Sequence, residues 1–162
     1  MLVDFDSLKN SSRVWVYQAN REFSDNEEEE IISKIKSFIT TWKVHGKDLK
    51  ASYQIKYHQF IVIAVDEDFN EVSGCSIDAS VNLILKLEQS LKIDLTNKLN
   101  VSFKDNNNIN VVSLLDFKNF VKQQKITENT VVFNNMVTTK GDFESQWEVP
   151  AISSWHKRFF NK

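Results

Sequence analysis

Six consecutive apolar residues, Phe60-Ile61-Val62-Ile63-Ala64-Val65, constrain this chain more than any other stretch. They do not alternate with polar residues, so the run has no solvent face and fits a strand covered on both sides. Its β-branched side chains suit a pleated, packed position. Such a strand lies inside a sheet and needs a partner on each edge. The chain then turns acidic at Asp66-Glu67-Asp68 and passes through Ser73-Gly74-Cys75-Ser76. Val81, Ile84, Leu85 and Leu91 follow at helical spacing, with Leu83 and Leu87 widening the stripe. Ser76 reads as the N-cap of this buried helix, with Asp78 in the first turn.

The rest of the chain supplies partners for that strand. Arg13 to Ala19 is strand-like. Ser24 with Glu27 three residues on matches a capping box, and Ile31, Ile32, Ile35, Phe38, Ile39 and Trp42 share one face of the helix it opens. Gly46 reads as its stop. From Leu49 to Tyr57 the chain alternates: Ala51, Tyr53, Ile55 and Tyr57 lie on one face, and Lys50, Ser52, Gln54 and Lys56 on the other. That pattern is a half-exposed strand turning back through His58-Gln59. Segments 100–104 and 109–112 flank a polar tip at 105–108, which predicts a hairpin. Ser113 caps a short helix bearing Leu114, Phe117, Phe120 and Val121, and Thr130 to Phe133 reads as a last strand. The tail from residue 133 carries Phe143, Trp147, Trp155, Phe159 and Phe160 around the only proline, Pro150. That is too aromatic for disorder, so it is expected to pack on the body. The pattern predicts one α+β domain over residues 1–162. It is a two-layer sandwich with a mostly antiparallel sheet, a ferredoxin-like core and an aromatic C-terminal extension.

Several functions are excluded by what the residues lack. The three glycines, Gly46, Gly74 and Gly141, cannot form a P-loop or a dinucleotide-binding fingerprint. One cysteine and three scattered histidines make no zinc spacing. No cofactor is therefore expected. A net charge of −2 gives no basic footprint for nucleic acid. No apolar run approaches the roughly 20 residues of a membrane span. The first residues show no secretory signal, and a lone cysteine suits a reducing compartment. A cytoplasmic protein is expected, with a protein partner or small ligand.

Three arrangements of side chains carry chemistry. Cys75 at a helix N-terminus favours a thiolate, beside N–H groups suited to an oxyanion. His156 would act as its base and Asp78 or Asp66 would orient the imidazole, as in a hydrolase or transferase. Asp66, Glu67 and Asp68, with Glu71 or Asp78, offer a Mg²⁺ site for phosphoryl chemistry. The third is a binding surface made from Gly74 and Ser76, from Asn134, Asn135, Thr138, Thr139, Lys140 and Gly141, and from Trp155 in the tail. Small buried residues, a polar strand-end loop, local turn bonds and core aromatics are the structural alternatives to these readings.

Several blocks resemble one family. They are Ser12-Arg13-Val14-Trp15-Val16-Tyr17-Gln18, the run from Ala64 through Ser73 to Asp78, Val132-Phe133-Asn134-Asn135 with Val137-Thr138-Thr139-Lys140-Gly141, and Trp147-Glu148-Val149-Pro150 with Ser154-Trp155-His156. Together they resemble small bacterial proteins carried under the label "ABC transporter ATPase", over nearly the whole chain. The P-loop and the Leu-Ser-Gly-Gly-Gln-type signature of a transporter ATPase are missing here, and only Ile61 to Asp66 is similar to a Walker B strand. The label therefore implies no nucleotide site here, and the residues themselves suggest a binding or accessory module.

Overall fold

Antiparallel pairing supplies both partners that the apolar run demands. The computed structural model describes residues 1–161. In chain order, β1 (Arg13–Gln18) leads to α1 (Asp25–Thr40), then to a small hairpin of β2 (Lys43–Val44) and β3 (Lys47–Asp48). β4 (Ala51–Lys56), β5 (Phe60–Val65) and α2 (Gly74–Leu91) follow. The second half holds β6 (Asn100–Asp105), β7 (Asn108–Ser113), α3 (Leu114–Lys122), β8 (Val131–Phe133), α4 (Lys140–Gln146) and β9 (Glu148–Pro150). Short 3₁₀ turns cover Phe5–Ser7, Ala151–Ser153 and Trp155–Phe160.

β5 is the middle strand of the order β1-β5-β4, antiparallel to both neighbours. β1 and β4 therefore run parallel around it, joined by α1. This is the split β-α-β unit, and with α2 it gives the first five elements of a ferredoxin-like fold. Among the described residues, no full strand extends the sheet beside β1. The 138–140 segment holds that edge instead: Val14 N–H donates to Thr138 O at 2.9 Å, and Lys140 N–H to Ser12 O at 2.8 Å.

All six residues of β5 have 0% exposure. Ile61, Ile63 and Val65 face Ile31, Ile35 and Ile39 of α1 and Ile84 and Leu87 of α2. Phe60, Val62 and Ala64 face Phe133, Val137, Phe143 and Trp147. The aromatic C-terminal stretch thus forms a further layer on the sheet face opposite the helices. A second sheet, ordered β7-β6-β8-β9, packs Val101 and Val132 against Phe117, Ile126 and Ala151, joined by Trp155, Phe159 and Phe160.

Local signals hold at most boundaries. The Ser24–Glu27 capping box forms in both directions, at 3.2 and 2.9 Å. Ser24→Ala is expected to cost about 1 kcal/mol of stability, read as a shifted urea midpoint. Some boundaries differ from the sequence reading. The first helix ends at Thr40, and Gly46 (φ 77°) instead joins His45 (φ 50°) in the turn between β2 and β3. β8 is not the last strand. β9 pairs with it, Val131 opposite Pro150 and Phe133 opposite Glu148, and the proline sits at an edge where its missing N–H is tolerated. No helix of the described residues is long and apolar enough to cross a membrane.

Candidate functional site

The structure separates the residues of the thiol reading. Ser73, rather than Ser76, caps α2, its Oγ accepting the Ser76 N–H at 3.2 Å. The Ser76 hydroxyl instead donates to Lys43 O at 2.9 Å, and its carbonyl accepts the Trp42 indole N–H at 2.9 Å. The earlier start makes Gly74 and Cys75 the first two helical residues, both exposed, as is Asp78. His156 is fully buried, with 0% exposure, on the side of the second sheet covered by α3. It is stacked on Trp155 with centroids 3.8 Å apart, beside Phe117, and its Nδ1 lies 2.8 Å from Ser154 Oγ. Burial, reinforced by the Arg158 charge, pushes this imidazole down to about 4. A neutral imidazole sealed in the core is not placed to serve an exposed thiol.

The acidic run also disperses. Asp66 is buried and its Oδ1 accepts the Asp68 N–H at 3.0 Å, closing the strand end. Glu67 faces Arg13 at 3.5 Å and Asp68 faces Lys9 at 3.4 Å. Among the described residues, no group of three His, Cys, Asp or Glu side chains is placed to hold a metal ion.

The polar block after β8 serves the fold. Asn135 donates from Nδ2 to Gln18 Oε1 at 2.9 Å and accepts the Trp147 indole N–H at 2.8 Å. Gln18 also accepts from the Ser102 hydroxyl, so this buried network ties the two sheets together. Asn134 Oδ1 accepts the Met136 N–H at 3.1 Å, and Thr139 caps α4 by accepting the Asp142 N–H at 3.2 Å. Lys140, 5% exposed, donates to Leu8 O at 2.8 Å and lies 3.4 Å from Glu144. Trp155 is half-buried beneath Arg158, whose guanidinium carbon stands 4.9 Å above its ring.

Unclaimed backbone groups lie along the outer edge of β4, as they do along β7. The ladder points Ser52, Gln54 and Lys56 toward β5 and leaves Ala51, Tyr53 and Ile55 facing outward. The N-terminal segment meets Ala51 alone: Ala51 N–H donates to Met1 O, and Val3 N–H to Ala51 O, each at 3.0 Å. The segment then enters the 3₁₀ turn Phe5–Ser7, which stays against β4 without a backbone hydrogen bond to it. Tyr53 and Ile55 have no outward backbone partner among the described residues.

Two clefts flank this edge, one on each face of the sheet. The larger, about 690 Å³, runs between β4 and α1 and is lined by Tyr53, Ile55, Ile32 and Lys36 among others. The smaller, about 410 Å³, lies toward α4 and is lined by Lys56, Phe143, Glu144, Trp147 and Glu148 among others. Phe5 and Gln54 line both. No family model, curated protein or solved structure matches this chain. The site's chemistry is therefore read from its own geometry.

The end of the edge is fixed by a strained turn. Tyr57 (φ 55°) and His58 (φ 54°) both adopt the left-handed region, which L side chains avoid. Tyr57 is stacked on Trp147, its hydroxyl donates to Glu148, and Lys104 Nζ reaches the other Glu148 oxygen at 2.8 Å. Burial and the Glu148 bond both raise the Tyr57 pKa. Burial pushes the Glu148 carboxyl up, but the bonds from Lys104 and Tyr57 outweigh it and leave it below its usual value. The Glu148 bond chiefly raises Lys104. All three groups are held in their ordinary ionic forms at neutral pH. That makes a fixed wall rather than an acid–base pair.

Proposed function

We propose that the chain is a binding module that takes up an extended segment of a partner protein as an added strand on β4. The open edge at Tyr53 and Ile55, set between two clefts, is the observation that carries the reading. An added strand gains backbone bonds from the edge, and its alternate side chains enter pockets on opposite faces of the sheet. The N-terminal segment already pairs with Ala51 in this way and makes no backbone hydrogen bond to Tyr53 or Ile55. Sheet edges are ordinarily blunted or covered, so an edge flanked by clefts favours a partner.

The test is selection of peptides on the folded chain from a display library of random extended sequences, followed by amide exchange read by NMR. Selected peptides are expected to slow exchange at Tyr53 and Ile55 and to leave the β7 edge unchanged. Peptides that bind while both amides exchange at their free rates would overturn the reading.

A further inference from the structure

We infer that two copies of this chain pair through β7, antiparallel and about a two-fold axis at Val111. The inference stands apart from the reading of β4. β7 ends the second sheet in the order β7-β6-β8-β9. Leu114 N–H donates to Leu99 O at 2.8 Å, which extends the pairing of Asn100 with Ser113 by one step. Alternation along that ladder turns Val112 and Asn110 toward β6 and leaves the backbone groups of Ile109, Val111 and Ser113 facing outward. Among the described residues, none of these three has a backbone partner on that side.

Sheet edges are ordinarily protected by a charged side chain, a proline, a bulge or shortness. β7 has none of these. Its six residues, Asn108-Ile109-Asn110-Val111-Val112-Ser113, are uncharged, include no proline and pair with β6 in unbroken register. β4 differs: it follows Lys50, ends in Lys56 and is crossed at Ala51 by the N-terminal segment. Neither cleft beside β4 is lined by a β7 residue, so the β7 edge offers backbone bonds and apolar contact rather than pockets for a chosen sequence. The outward residues are spaced evenly about Val111. A two-fold axis there sets Val111 against the second copy's Val111 and Ile109 against its Ser113, so every outward residue meets another. No charge along the strand is set against its like, which is the complementarity that a self-pairing edge needs. The nearest charged residues, Asp105, Asp116 and Lys118, are exposed and lie beyond the strand's ends. Pairing β7 of one copy with β4 of the next would leave free edges and would not close, whereas a β7 pair closes and joins the two four-stranded sheets into one.

Sedimentation velocity over roughly 1–200 µM protein gives the oligomeric state, a range suited to a small interface. Amide exchange read by NMR at each concentration gives the location. A dimer is expected to form as concentration rises, with exchange slowing at Ile109 and Val111 and unchanged at Tyr53 and Ile55. Added salt should not weaken it, because the contact is uncharged. Val111→Lys sets two ammonium groups face to face on the axis and should weaken the dimer at least about tenfold. Val111→Glu should do the same, and mixing the two variants should restore association, which a folding defect would not allow. A chain that stays monomeric throughout would overturn the inference. So would a dimer that leaves exchange at Ile109 and Val111 unchanged. A dimer that Val111→Lys leaves intact, or a mixture that restores nothing, would overturn the two-fold at Val111. Concentration-dependent slowing at Tyr53 and Ile55 instead would place the second copy on β4 and overturn the inference as well.

Discussion

Phe60→Ala is expected to lower the unfolding free energy by about 3–5 kcal/mol. Phe60 is fully buried and opens the central strand, pairing with Gln18 on one side and Lys56 on the other. Its ring lies 5.0 Å from Phe133 and 4.9 Å from Trp147, so it joins the first sheet to the C-terminal layer. Truncation removes the transfer energy of the ring and leaves a cavity that two large aromatic rings cannot collapse to fill. Domains of this kind have about 5–15 kcal/mol in total, so the loss is a large part of the whole. Ile63→Val, on the helix-facing side of the same strand, is expected to cost only about 0.5–1.5 kcal/mol. Urea unfolding followed by tryptophan fluorescence compares the two. A cost below about 1 kcal/mol for Phe60→Ala would mean that the C-terminal layer is not seated on the sheet.

Phe60 also shows what could be read in advance. The unbroken apolar run announced a doubly covered strand, because burial on both faces leaves a mark at every position. The capping box at Ser24 and the cap at Ser113 are equally local and form as their spacing predicts. A similar signal, Thr139 with Asp142 three residues on, marked α4 but was masked by the polar residues around it. The candidate site left no such mark. The alternation over residues 50–57 gives a half-exposed strand, but whether a strand is an edge depends on which other segments reach it. Gln54 and Lys56 read as a solvent face, yet Phe143 and Trp147 from the far end of the chain wall the cleft beside them. The dense polar block at 134–141 suggested a ligand for the same reason in reverse. Its groups bind Gln18, Ser12 and Leu8, and composition alone cannot tell an internal partner from an external one.

Stability is expected to fall by about 3 kcal/mol as the pH drops from 6.5 to 4, through His156. The unfolded imidazole takes up its proton near 6.5, whereas burial holds the folded one down to about 4. Between those values the unfolded state binds the extra proton, so stability rises with pH through this window, by about 1.4 kcal/mol for each pH unit. Other shifted groups act mostly below this window or against it, Glu148 with the carboxylates that lose their contribution only as pH falls below their ordinary range. Glu27, paired with Arg21 and held down to about 2, loses its contribution only below its ordinary 4.5. The exposed His58 is raised by Glu28, so its small contribution is present below 6.5 and lost as pH rises. The slope between 4 and 6.5 therefore belongs mainly to His156. His156→Gln removes the titrating group while keeping a hydrogen-bonding side chain for Ser154, and unfolding curves across this range should lose most of the slope whatever the variant's baseline. A slope that survived the substitution would mean that the imidazole is not sealed from water.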